Sequence, residues 1–168
     1  MAGERSAAGE APRRRTSHSP WIIVIGYGNT LRGDDGAGQY VARRLGVLRP
    51  DIRSVEAHQL TPELAVDLAE VDLAFFVDAR AEGPERGVEV ADVADSGGGA
   101  SSHHLSTGTL LAMARALFGR APRAYLVSLP AFSFDFSDDL TPDARAAADA
   151  AVSLIARLID GASGVAAE

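Results

Sequence analysis

With 168 residues, 46% of them hydrophobic, and a formal charge of -7, the chain has the size and apolar content of one globular domain that buries a core without disulfides or a structural metal. The acidic balance argues against a nucleic-acid surface, which needs clustered Lys and Arg to displace counterions, and no apolar run approaches the roughly 20 residues of a membrane helix. Cysteine is absent, so disulfides, Cys-type zinc clusters and a thiol nucleophile are excluded and only His and carboxylates remain as metal ligands.

Residues 1–20 are polar and Pro-containing, with arginines at 13–15, and read as a disordered tail. They lack the 7–15 residue apolar region of a secretory signal, so a soluble, cytoplasmic protein is expected, with one domain over 21–162 and a short tail over 163–168. "WIIVIG" is a β-branched apolar run stopped by glycine, the form of a buried parallel strand in mid-sheet. After it, Ala37, Tyr40, Val41, Leu45 and Leu48 recur at helical spacing and the helix ends before Pro50.

"SVEAH" predicts a second strand. In "TPEL", Thr61 is expected as the cap of the next helix, Pro62 at its first position and Glu63 in its positive first turn, with Leu64, Ala65, Leu68 and Ala69 facing inward. "LAFFVDA" is a third strand closing on Asp78, and "GVEVADV" alternates as an outer strand beyond the "EGPERG" turn. Leu110, Leu111, Ala114, Leu117 and Phe118 form a helical stripe, "RAYLVSLP" a fifth strand, and Thr141 with Pro142 opens a long Ala-rich helix. The order βαβαββαβα predicts an α/β fold: a five-stranded mixed, mostly parallel sheet between helices.

The glycines of "VIGYGNTLRGDDGAG" suggest a nucleotide loop, but the spacing fails. A dinucleotide fingerprint starting at Gly26 and Gly28 would need a third glycine where Leu31 stands, and a phosphate loop from Gly28 to Gly33 would need Lys where Asp34 stands. Two adjacent carboxylates would repel phosphate. The remaining reading has the turn aim Asp35 at the carboxyl edge of the sheet, where open α/β folds place their sites; the alternative is that Asp34 or Asp35 caps the helix that follows.

Asp78 emerges at the same edge or is a solvated strand end, and His103 or His104, before the third helix, either reaches that edge or lies on a surface loop. His58 sits at another strand end. Two carboxylates and an imidazole would suit Ni, Zn, Fe or Mn without choosing among them.

"GYGNTLRGDDGAG", "HQLTPEL", "FVDA" and "SSHHLSTGTLLAMA", in this order over residues 22 to about 118, resemble the nickel-iron hydrogenase maturation proteases, endopeptidases that trim the hydrogenase large subunit. The resemblance implies that Asp35, Asp78 and His103 contact nickel and carry the chemistry, with His104 taking the third role if the match slips by one residue. It implies a glycine loop built on Gly26, Gly28, Asn29 and Gly36. It implies further that the nickel is that of the precursor rather than a resident ion, and that it signals that the precursor is ready to be cut.

Some members carry a glycine-rich loop where this chain has His58, Gln59, Leu60 and Thr61, and this segment is expected to read the precursor. "PAFSFDFSDDL", with its phenylalanines, is a second candidate docking surface, unless it packs under the last helix. The expected partner is a hydrogenase large-subunit precursor, met by a monomer that binds neither nucleic acid nor membrane. A nickel-binding accessory protein that does not cleave is the main alternative, and a nucleotide-binding module a third.

Overall fold

The computed structural model describes residues 20–81, 83–93 and 105–165, and the apolar runs form five strands: β1 (Ile22–Tyr27), β2 (Arg53–Ala57), β3 (Leu73–Arg80), β4 (Glu89–Asp92) and β5 (Arg123–Pro130). The helices are α1 (Ala37–Leu48), α2 (Leu64–Ala69), α3 (Thr107–Phe118) and α4 (Pro142–Val165), in the order that the sequence predicts. A short 3-10 turn over Gly33–Gly36 leads into α1. Among the described residues no helix is long and apolar enough to cross a membrane.

The strands make one sheet in the order β2-β1-β3-β5-β4, parallel except for β4, which pairs antiparallel with β5 at the edge. Alternation along each strand divides the core between two faces. Ile22, Val24, Phe75, Val77 and Val127 pack with α1 and α4, while Ile23, Ile25, Ala74 and Phe76 pack with α2 and α3. Because β1 and β3 are covered on both sides, they carry the continuous apolar runs by which the sequence declares them.

Since β2 and β3 flank β1, the chain leaves β1 in opposite directions on its two sides, and loops at the carboxyl ends of β1 and β3 open around a crevice. The start of α1 lies directly on this edge. A Cβ on Gly26 would overlap the Gly38 carbonyl, and one on Gly38 would overlap the carbonyl of Val77, so only glycine at both positions lets helix and sheet approach this closely.

Some local expectations are corrected. The α-helix α2 starts at Leu64, and Thr61 does not cap it: the carbonyls of Thr61 and Pro62 accept from Leu64 N and Ala65 N in tight i to i+3 turns. The Thr61 side chain instead bonds the Glu63 carboxylate, helping to hold that carboxyl below its ordinary range after the larger effect of the Glu63 backbone. Leu48, Leu117 and Phe118 are exposed because they lie in the last turns of α1 and α3, beyond the part of each helix that meets the sheet. The last helix continues past Ile159 to Val165, so residues 163–165 are helical, and Ala162 still packs against the core.

Candidate active site

The glycine loop turns back on itself after β1. Gly28 has a φ of 139°, a conformation that side-chain-bearing residues rarely adopt, and a Cβ there would overlap the Asp35 carbonyl. Asn29 serves both ends of the turn: its N–H donates to Asp35 Oδ2 at 2.9 Å, and its Oδ1 accepts from Leu31 N at 2.9 Å. Gly36 tucks under Thr30. From α1, Gln39 Nε2 donates to the carbonyls of Gly28 at 2.7 Å and Ala57 at 2.9 Å, tying the loop to the end of β2.

Neither aspartate caps α1, whose N-cap is Gly36 with no side-chain bond. Asp34 is fully buried and faces the segment after β5. Its carboxylate accepts from Phe132 N at 2.9 Å, Ser133 N at 3.1 Å, Thr141 N at 2.7 Å and Thr141 Oγ1 at 2.8 Å. Its lone pairs are thus used within the fold. Asp35, one residue on, turns the other way.

Asp35 and Asp78 line one open cavity of about 620 Å³ at the carboxyl edge, together with His58, Gln59, Leu60, Thr61, Tyr27 and Arg32. The site residues expected from both the glycine motif and the segment after β2 therefore converge. Asp78 is not the last residue of its strand, since β3 continues to Arg80, and it is half-buried rather than freely solvated. Burial raises its pKa to about 6; the hydrogen bond from Tyr27 and the Ala79 backbone pull it down, while the charge of Asp35 pushes it up. Tyr27 itself is raised, first by burial and then by Asp78, so its phenol stays protonated and donates.

Among the described residues no three His, Asp or Glu side chains cluster to hold a metal ion. Asp35 and Asp78 supply two oxygen donors, close enough for one charge to disfavour the other, and a cation between them would relieve that repulsion. His103 and His104 lie outside the described residues; Leu105 lines the cavity wall.

The same fold occurs in solved structures. The chain is similar to the NiFe hydrogenase maturation protease HycI of Thermococcus kodakarensis KOD1, with 26% identity and a TM-score of 0.68 over 83% of this chain and 92% of that one. In fold, and at this identity in sequence, the chain is similar to the hydrogenase maturation proteases. The neighbours are named as proteases and endopeptidases, which supports a peptidase here. Two more distant maturation peptidases share the fold of this chain. They are the hydrogenase maturating endopeptidase HybD from E. coli, with 20% identity and a TM-score of 0.69 over 84% and 93% of the two chains, and the hydrogenase 2 maturation peptidase from Thaumarchaeota archaeon SCGC_AB-539-E09, with 24% identity and a TM-score of 0.63 over 83% and 98%. No protein-family model and no curated protein sequence matches the chain.

Three residues of this site escaped the sequence reading. Tyr27 follows the last buried residue of β1 and donates to Asp78; a phenol between two glycines at a strand end was the available signal. Gln39 is a polar residue one turn into an amphipathic helix, and nothing local distinguishes it from a solvated one. Arg32 is the one Arg or Lys among the cavity's described lining residues.

Proposed function

We propose that this maturation protease removes the carboxyl-terminal extension of a nickel-loaded NiFe-hydrogenase large-subunit precursor in the cytoplasm, acting as a monomer and recognising the nickel already installed in its substrate. The observation that carries the reading is the convergence of Asp35 and Asp78 on one open cavity, with Asp78 raised to about 6. In the proposal these two carboxylates and His103 approach the precursor's metal, and His58, Gln59, Leu60 and Thr61 read the polypeptide around it.

The chain's own groups also suit hydrolysis. At neutral pH Asp78 is a carboxylate, yet it is more basic than an ordinary aspartate, which fits it to take a proton from a water attacking the scissile carbonyl. Tyr27 orients it and Asn29 fixes Asp35 through its N–H, so the two acids are held by the β1 end and its loop rather than by flexible side chains. Nickel bound to the substrate would supply a positive charge between them.

The test is to incubate the purified protein with a large-subunit precursor, nickel-loaded in one sample and nickel-free in another, and follow intact mass. Loss of a carboxyl-terminal peptide only in the loaded sample is expected. Cleavage in both samples would remove nickel as the signal, and binding of the loaded precursor without cleavage would favour an accessory protein.

A further inference from the structure

The segment after β5 buries Ala131 and packs Leu140 against the core beneath α4, but leaves two phenylalanines outside. Phe136 is 88% exposed and Phe132 48%, while Leu31 of the glycine loop is 52% exposed. Leu31 and Phe136 come from distant parts of the chain, and the backbone brings them together. Ser137 N donates to Leu31 O at 3.1 Å and Gly33 N donates to Ser137 O at 2.8 Å, a parallel bridge pairing Arg32 with Ser137. In parallel register the preceding residues, Leu31 and Phe136, stand side by side. Asp34 closes the same junction from inside with its bonds to Phe132, Ser133 and Thr141.

The strip also reaches the cavity. Arg32 lines the cavity wall and its guanidinium lies over the Phe134 ring, 5.8 Å from the centroid. Arg32 thus links the cavity of Asp35 and Asp78 to Leu31 and Phe136, and the backbone of Phe132 is tied to the same loop through its N–H bond to Asp34. Asp135, Asp138 and Asp139 of the same segment are exposed.

From this continuity and charge pattern we infer that Leu31, Phe132 and Phe136 form a docking strip for an extended segment of the substrate polypeptide next to the scissile bond, apolar where it meets the aromatic rings and basic where it passes the outer aspartates. The inference rests on the endopeptidase reading for the identity of the substrate. Two exposed rings covered by a partner are an anchor of the kind that dominates interface energetics, and the acidic margin favours a cationic flank. Because Asp34 and the Arg32 bridge join the strip to the loop bearing Asp35, a segment seated there is held in fixed register with the carboxylates.

The experiment compares the wild-type chain with F132S/F136S, both changes being at exposed side chains, using nickel-loaded large-subunit precursor as the probe. Cleavage kinetics are followed by intact mass, and affinity for the precursor is measured separately by biolayer interferometry at low and high salt. The strip predicts a KM at least about tenfold higher with kcat within about twofold, affinity weakened by about the same factor, and wild-type affinity that falls as salt rises. Unchanged KM and affinity would overturn it, as would a loss confined to kcat, and salt-independent binding would overturn the basic flank.

If the wild type leaves the precursor uncut, the endopeptidase reading fails by itself and affinity decides the strip: tenfold weaker binding by the variant supports it, whereas equal binding, or none by either protein, overturns it.

Discussion

Asp34 and Asp78 are both acids withdrawn from water, and the fold treats them in opposite ways. Asp34 is completely buried and met by three backbone N–H groups and a hydroxyl, enough donors to compensate the loss of hydration. Asp78 is only half-buried but receives little beyond one phenol and one backbone bond, and it has another carboxylate nearby, so its charge is disfavoured. A buried acid surrounded by donors is a structural clamp. One left short of donors beside a second acid, at the mouth of a cavity, is poised to meet a cation or a proton.

The largest effect should come from breaking the clamp. Asp34→Ala strands four donors in the interior and is expected to cost about 3–5 kcal/mol in urea unfolding; a loss below about 1 kcal/mol would show that water replaces the carboxylate and that Asp34 holds nothing together. Asp35→Ala should do the reverse. It gives up one bond from Asn29 N, so stability should change by about 1 kcal/mol or less while precursor processing falls at least about 100-fold, and normal processing in this variant would remove Asp35 from the site.

Asp78→Asn sharpens the contrast through pH. The folded-state pKa of Asp78 lies above its ordinary value of 3.8, so the wild type carries an electrostatic cost above about pH 6 that shrinks as pH falls and vanishes below about 4. The amide should therefore stabilise the fold by about 1–2 kcal/mol at pH 7, after allowance for partial solvation, and by nothing at pH 3.5. Processing by the wild type should decline as pH drops through about 6. Thermal melts at the two pH values check the first statement, and equal gains at both would contradict it.

The smallest effect is expected from Gln39→Ala, at about 0.5–1 kcal/mol, because its amide bonds are partly replaceable by water. The variant matters for where the loss appears: hydrogen exchange should quicken at the ends of β1 and β2, and uniform acceleration across the sheet would refute a local tie.

Much of this was readable in the sequence because the relevant physics is local. "WIIVIG" and "LAFFVDA" are apolar on both faces and could only be central strands, and the mismatches at Leu31 and Asp34 exclude phosphate loops by charge and spacing alone. Asp34 was misread as a possible helix cap because its partners stand 98 to 107 residues away, beyond any local window. The expected Thr61 cap failed for a different reason: a good capping residue followed by proline also makes a tight turn, and α2 is too short for propensity to decide where it starts. Leu117 and Phe118 fit a helical stripe perfectly well, but periodicity does not reveal where the sheet beneath a helix ends.

The Asp34 clamp also has a consequence for synthesis. A nascent chain that has emerged as far as residue 130 already contains every strand of the sheet, yet the partners of this carboxylate at Phe132, Ser133 and Thr141 are still inside the ribosome. Until they appear, the loop carrying Asp35 closes over an uncompensated charge, and its geometry cannot be final. The site should thus reach its final form late on the ribosome, after the sheet and with the last helix.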